Sequence, residues 1–552
     1  MNQSFVALVE QSVKKNWDRK ALTDYKGATL QYKDVARKIE KIHIVMESAG
    51  IRRGDKIAVC GRNSAHWCVA FLATVTYGAV VVPILHEFKS DNIHNIVNHS
   101  EARILFVGDQ VWENLNEHAM PALEGIVSLK DFSLLVSREE RLTYAREHLN
   151  EMFGEKFPCR FLQETIHWRE EQLNDLAIIN YTSGTTGFSK GVMLSYRSIL
   201  SNIFFCQEKI GISAGDSIVS MLPLGHVFGM VFDFLYGITS GAHLWFLTRM
   251  PSPKIIAESF AEIKPRIISC VPLVVEKIFK KNILPLVDNQ LGRFLLKLPL
   301  INDRVKAHIR QAAVEVFGGN FIEIIIGGAP FNAEVESFVN RIDFPYTMAY
   351  GMTECGPIIC HSRYGEHRLG SCGKAASRME VKVLSPNPEH TPGELVCRGE
   401  NLMMGYYKNL EATVQVIDKD GWLHTGDMAV MDAQGYFYIK GRCKNMLLSA
   451  SGQNIYPEEI ESRLNNMPYV SESLVVMSHD KLVALVYPDN EEVFRHGLSQ
   501  ADLERVMDEN RLLLNSDLPA YSQIAKVRLH PEEFEKTAKK SIKRFLYQNV
   551  TL

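Results

Sequence analysis

The chain has 552 residues, 46% hydrophobic and 23% charged, and a formal net charge of −3 from 61 basic and 64 acidic residues. These figures describe a soluble globular protein of several folding units, and the missing basic excess argues against a nucleic-acid partner. Ten scattered cysteines without a CxxC pair argue against a disulfide framework or a zinc site and fit reduced thiols in a cytoplasmic enzyme.

The opening residues Met1-Asn2-Gln3-Ser4 lack a basic segment followed by an apolar run, so no secretory signal is expected. Over the first 110 residues, helical and strand patterns alternate. Asp34–Ser48 has apolar residues at helical spacing. Lys56–Cys60 reads as a short buried strand after the turn Arg53-Gly54-Asp55, Trp67–Tyr77 as a helix, and Ala79–Pro83 and Arg103–Val107 as strands. The apolar run Leu72–Leu85 is too short for a membrane span and is interrupted by Gly78 and Pro83. The rhythm returns at Ser217–Met221, His243–Phe246, Ile267–Val271 and Phe321–Ile326, which predicts an α/β fold with parallel-rich sheets.

After about residue 378 the texture changes. Glu380–Leu384, Gly393–Arg398 and Tyr436–Lys440 read as short strands between Gly, Pro and Asp turns, a small antiparallel unit. Beyond Arg442 come a helix at Pro457–Met467, strands at Ser471–Val476 and Leu482–Val486, and a helix at Gln500–Asn515. The main boundary is placed near Gly441–Lys444. This gives an N-terminal domain of residues 1–441, with a β-rich subdomain at about 378–441, and a small α+β C-terminal domain of residues 442–552.

The densest chemical signal is Tyr181-Thr182-Ser183-Gly184-Thr185-Thr186-Gly187-Phe188-Ser189-Lys190-Gly191, set between the apolar runs Leu176–Ile179 and Val192–Leu194. Glycines let backbone amides turn inward, and hydroxyls plus one lysine can contact phosphate oxygens or a metal. The spacing is not that of GxxxxGK[ST].

This loop resembles the phosphate loop of the adenylate-forming superfamily, with Ser189 where that family usually has proline. Further motifs follow in the family's order: Leu222-Pro223-Leu224-Gly225-His226, Gly327-Gly328-Ala329-Pro330, Tyr350-Gly351-Met352-Thr353-Glu354, Asp420–Asp427, the hinge Gly441-Arg442-Cys443-Lys444-Asn445, and Gly452–Glu461. The hinge, the following loop, and Gly61-Arg62-Asn63-Ser64 through Phe88 are most similar to long-chain fatty acyl-CoA synthetases.

The resemblance implies ATP, magnesium and coenzyme A as co-reactants and a fatty acid as substrate. Thr182, Ser183, Gly184, Thr185, Thr186, Gly187 and Lys190 would hold the phosphates, with Lys190 also catalytic. Gly328, Ala329, Pro330, Tyr350 and Gly351 would hold adenine. Thr353 would reach the α-phosphate, and Thr185 and Glu354 the metal. Asp427, read in a turn, would take the ribose hydroxyls, and Arg442 the ribose or α-phosphate. Lys444 would be the hinge and Gly452 would line a pantetheine tunnel. His226 would flank the acid carboxylate, or else is a packed core histidine.

One departure stands out. The family's C-terminal catalytic lysine aligns with Ser541, so its role is expected to fall on Lys540, with Lys539 and Lys543 as alternatives. Gly229, Gly237 and Gly241 are read as either acid-tunnel lining or helix packing. The basic stretch Lys277–Arg310 is read as either a solvated face or a peripheral membrane contact. An aryl-acid CoA ligase, a carrier-protein acceptor and a binding homologue that no longer adenylates stay as alternatives.

Overall fold

The computed structural model describes residues 3–182, 189–248, 252–283, 299–449, 453–479, 481–537 and 541–548. The α/β expectation holds. The largest sheet orders its described strands as Gly405–Tyr406, Lys190–Ser195, Leu176–Thr182, Val80–Ile84, Lys56–Cys60, Ala102–Val107, Gly125–Ser128 and Leu134–Ser137. Its centre is parallel and its edges antiparallel. Every residue of Val80–Ile84 is buried, so that strand has to be apolar on both faces. The helix Ala65–Tyr77 is buried almost all round. Ser64 starts it by accepting from Trp67 N at 3.2 Å, and Gly78, at φ +88°, ends it.

A second sheet aligns Ser217–Ser220, His243–Phe246 and Lys20–Asp24 in parallel, with Thr29–Gln31 antiparallel at the edge. A third aligns Ile268–Cys270, Ile324–Gly327 and Tyr346–Gly351 in parallel, then Ile358–His361 and Lys374–Ala375 antiparallel. An Ile218↔Ile267 bridge joins these two sheets.

A fourth sheet is wholly antiparallel: Met379–Leu384, Gly393–Gly399, Leu423–Met431 and Phe437–Arg442. Here one expectation is corrected, because Asp427 lies inside the strand Leu423–Met431 and not in a turn. The turn-like residues Thr425-Gly426 form a bulge. Glu394 pairs with Met428 while Val396 pairs with His424, so extra residues are accommodated on the longer strand. Gly426, at φ +71°, supplies the left-handed residue this requires.

Residues after Arg442 build their own sheet from Val470–Ser478, Lys481–Pro488 and Ile524–Leu529. The apolar faces of that sheet pack against Ile460, Leu464, Leu503 and Met507 on one side and Phe534 on the other. Among the described residues, no helix is long and apolar enough to cross a membrane.

The chain from Val227 to Thr239 is helical, with a π-helical stretch at Met230–Leu235. Its glycines Gly229 and Gly237, and Gly241 just after it, are closely packed on their Cβ sides. A Cβ on Gly229 would lie 2.8 Å from Leu222 Cβ, one on Gly237 2.5 Å from Leu244, and one on Gly241 2.5 Å from Asn16. The π-stretch carries Asp233, which is fully buried. Ser220, Ser269 and the N–H groups of Met221 and Leu222 face its carboxyl. Neither carboxyl oxygen closes a hydrogen bond with a described residue. Burial pushes this carboxyl up to about 8.

An acid whose pKa is raised on folding contributes full stability below its unfolded value, about 4. That contribution is lost as pH rises towards the folded value. Asp233→Asn is therefore expected to melt higher than the parent chain at pH 8, with the difference shrinking as pH falls towards 4. A pH series of thermal melts checks this, and parallel curves across the window would contradict it.

Candidate active site

Of the predicted nucleotide residues, Thr182, Gly328 and Tyr350-Gly351 lie at the carboxyl ends of parallel-paired strands, while Lys190, Asp427 and Arg442 belong to antiparallel ones. Gly327 pairs with Ala349, so the exposed turn Gly328-Ala329-Pro330 lies beside Tyr350-Gly351. Gly328 adopts φ +86°. Gly351 admits no side chain, since a Cβ would sit 2.0 Å from Pro357 O. The Tyr350 hydroxyl donates to Asp427 Oδ2 at 2.5 Å. Arg442 Nε meets Asp427 Oδ1 at 2.8 Å across the Asp427↔Arg442 register pair. The Asp427 side chain is 9% exposed and that of Arg442 56%. Burial holds the Asp427 carboxyl above the usual carboxylate range, while Arg442 and the Tyr350 hydroxyl pull it back. Burial, then the neighbouring Asp427 charge, keeps the Tyr350 phenol protonated well beyond its ordinary range.

Thr182 pairs with Lys190 in an antiparallel register. The strand from Leu176 thus runs on through Thr182, and Lys190 begins the next strand rather than ending a loop. Ser183, Gly184, Thr185, Thr186 and Gly187 lie outside the described residues. Lys190 Nζ stands 4.8 Å from the centre of the Tyr406 ring. The hydroxyl of that tyrosine donates to Glu354 Oε1 at 2.9 Å. Thr353-Glu354-Cys355 forms one tight turn, in which Thr353 is buried and Glu354 half-buried. Lys190, Glu354, Tyr350 and Asp427 are thereby drawn to one edge.

His226 is half-buried at the start of the helix Val227–Gly229, where its Nδ1 accepts from Phe228 N at 3.3 Å. A Cβ on Gly327 would lie 3.3 Å from the Phe228 ring, so this helix start abuts the strand Ile324–Gly327. Two asparagines fix the segment before it. Asn63 donates to Leu222 O at 2.7 Å and accepts from Leu224 N at 2.9 Å. Asn180 donates to Gly225 O at 2.9 Å from the strand that leads to Thr182.

Lys444 is exposed in the turn Cys443–Asn445, next to Arg442. Gly441 touches the first turn of the helix Pro457–Leu464, for a Cβ there would be 2.7 Å from Glu458 Oε2. Asn445 donates to Glu458 Oε1 at 2.6 Å, and Asn332 hydrogen-bonds Asn466 across the boundary. Gly452, Lys539 and Lys540 lie outside the described residues. Lys543 is ion-paired with Glu535, and Arg544 makes a two-pronged pair with buried Glu461 at 2.6 and 2.7 Å.

Sequence reasoning gave no role to Tyr406, Asn180 or Asn63. Asn180 carried a usable signal, a lone amide inside an apolar strand, because a buried amide must find partners. Tyr406 carried none, since its strand is two residues long.

A family model described as AMP-binding enzyme matches residues 9–407, and one described as AMP-binding enzyme C-terminal domain matches residues 444–549. The chain is 27% identical over 558 residues to the rat long-chain-fatty-acid–CoA ligase ACSBG2, covering 95% of this chain and 81% of that protein. It is 29% identical over 458 residues to the putative acyl-CoA synthetase YngI of Bacillus subtilis strain 168, covering 77% and 76%. Among solved structures, the anthranilate CoA ligase AuaEII with anthranoyl-AMP superposes at TM-score 0.78 and 21% identity, covering 99% of this chain and 96% of that one. ATP-bound MatB from Rhodopseudomonas palustris superposes at TM-score 0.77 and 22% identity, covering 99% and 98%. These structural likenesses establish the fold.

The geometry around Asp427 sets function against stability. Because burial raises its pKa on folding, ionisation costs stability once pH exceeds the unfolded value. Asp427→Asn is expected to melt no lower than the parent chain at pH 7. It should also lose about tenfold or more in ATP affinity, the scale of one charge-assisted hydrogen bond. Paired thermal melts and ATP titrations check this. A variant that unfolds, or that binds ATP unchanged, would contradict it.

Proposed function

The chain belongs to the AMP-binding enzyme family, among its acyl-CoA ligases, and on that premise we propose that it joins a fatty acid to coenzyme A through an acyl-adenylate. The observation carrying this reading is a pair of contacts, Tyr350 on Asp427 and Tyr406 between Glu354 and Lys190, with Tyr350 and Glu354 four residues apart in the chain. A ribose, a metal and a phosphate chain need an acceptor, a hard oxygen ligand and a cation, which Asp427, Glu354 and Lys190 would supply.

In the first step the acid's carboxylate oxygen would attack the α-phosphorus of ATP, and pyrophosphate would leave. Asp427 would accept hydrogen bonds from the ribose hydroxyls, with Arg442 beside it. Lys190, the hydroxyls from Thr182 to Thr186 and Lys540, with Lys539 or Lys543 as alternatives, would offset charge on the phosphates. Glu354 fits a magnesium ion, which takes hard oxygen ligands and keeps phosphates in its shell. Its Oε2 has no partner among the described residues, and Thr185 would contribute a second oxygen. Such an ion, when bound, supplies charge neutralisation at the phosphates. His226, held by Asn63 and Asn180 through its own segment, would border the acid carboxylate.

In the second step the coenzyme A thiol would attack the acyl carbon and AMP would leave. We assign residues 1–441 to the adenylating body and residues 442–552 to a mobile domain turning about Lys444. Its segment near Gly452 would face the pantetheine arm.

The fatty acid assignment is supported by the name of the rat relative, a long-chain-fatty-acid–CoA ligase. The structural likeness to an anthranilate ligase supports a second reading, an aryl acid. Turnover with ATP, coenzyme A and saturated acids of graded length, beside anthranilate and succinylbenzoate, separates them. Two added methylenes should raise kcat/KM by roughly tenfold until the pocket is filled, because each buried CH₂ contributes about 0.8 kcal/mol. Turnover of the aryl acids alone would overturn the fatty acid reading while leaving the ligase chemistry in place.

A further inference from the structure

We propose that Tyr406 is a positioning residue, aiming the Glu354 carboxylate at the metal of a metal–nucleotide complex and holding the Lys190 ammonium alongside it. The inference rests on the reading of Glu354 as a metal ligand. Gly405–Tyr406 pairs antiparallel with Lys190–Ser195 through Gly405↔Met193 and Tyr406↔Val192. Met404 N donates to Met193 O at 2.8 Å, and Tyr407 N to Gly191 O at 2.7 Å. The backbone around Tyr406 is therefore stitched along the strand that starts at Lys190.

The same segment grips Glu354 at two points. Met403 N donates to its backbone oxygen at 2.8 Å, and the Tyr406 hydroxyl donates to its Oε1 at 2.9 Å. Tyr406 is itself pinned. Its N–H donates to Thr413 Oγ1 at 2.9 Å, and Gly405, at φ +133°, leaves no room for a Cβ beside Thr413. The residue is 7% exposed, and its ring face carries Lys190 Nζ, an attraction that strengthens away from water.

Packing alone would be met by phenylalanine. The hydroxyl is explained by Glu354, because a donor on one carboxylate oxygen fixes the rotamer and leaves the other oxygen for a cation. Outer partners of this kind orient metal ligands, and their loss commonly weakens metal binding about tenfold or more. The ring accounts for Lys190 separately, so the two functions can be removed one at a time.

The test is calorimetric titration of ATP into the full-length protein without acid, with and without Mg²⁺, and with thermal melts in parallel. The parent chain should gain ATP affinity when Mg²⁺ is added. Tyr406→Phe should lose about tenfold of that gain while keeping its metal-free affinity and its melting temperature. Tyr406→Leu should lose metal-free affinity as well. Glu354→Gln serves as the reference. If it retains the Mg²⁺-dependent gain, Glu354 is not the ligand and the reading beneath this inference fails. If it loses the gain while Tyr406→Phe retains it in full, the role of Tyr406 is overturned on its own. A Tyr406→Phe variant that loses metal-free affinity and melting temperature to the same extent marks a merely structural hydroxyl and also overturns the proposal.

Discussion

The carboxylate of Asp427 is held from opposite sides, by the Tyr350 hydroxyl at 2.5 Å and the Arg442 guanidinium at 2.8 Å. The rest of the site depends on that clamp. Tyr350 belongs to the parallel-rich sheet, while Asp427 and Arg442 belong to the antiparallel one. The Tyr350 hydrogen bond, which an amide oxygen at 427 could equally accept, joins the two sheets where they meet, while Arg442 offsets part of the cost of the buried charge. This cluster thus ties together Tyr350, Asp427 and Arg442, with Glu354 four residues along the chain from Tyr350 and the turn Cys443–Asn445 directly after Arg442.

The second organising feature is the edge of the large sheet. Thr182 and Lys190 face each other in register. The short strand at Tyr406 closes on the outer side and carries a hydrogen bond across to Glu354. From the inner side, Asn180 reaches Gly225, the residue before His226. Groups remote in sequence are placed by backbone pairing and by amide side chains that had to be satisfied on burial. They do not depend on surface loops for their position, and rigid supports of this kind are what hold reacting groups in register.

Much of the architecture was legible because buried parallel strands must be continuously apolar. Lys56–Cys60 is found as read, and the strands expected at Ala79–Pro83 and Arg103–Val107 shift by one residue. Where strand and turn chemistry coincide, the reading broke down. Leu423–Met431 contains Thr-Gly-Asp, the signature of a turn, and only the register jump opposite Glu394 and Val396 reveals a bulged strand. Thr182, Lys190, Gly328 and Gly351 end or border strands, whereas Asp427 lies within one. Tyr406 was illegible because a two-residue strand has no period, and its function lies in a contact with a residue far away in sequence. Ser541 was legible as a departure. Its backbone oxygen accepts from Thr537 N at 2.8 Å and the residue is exposed, an arrangement that any residue type could provide.

The central claim is that these groups activate a carboxylate at the α-phosphorus of ATP. The most direct measurement is mass spectrometry of the protein incubated with Mg²⁺, ATP and fatty acids of several lengths, with coenzyme A withheld. The account predicts an acyl-adenylate bound to the protein and an equal amount of pyrophosphate. If no adenylate forms with any fatty or aryl acid while ATP stays intact, the account is contradicted.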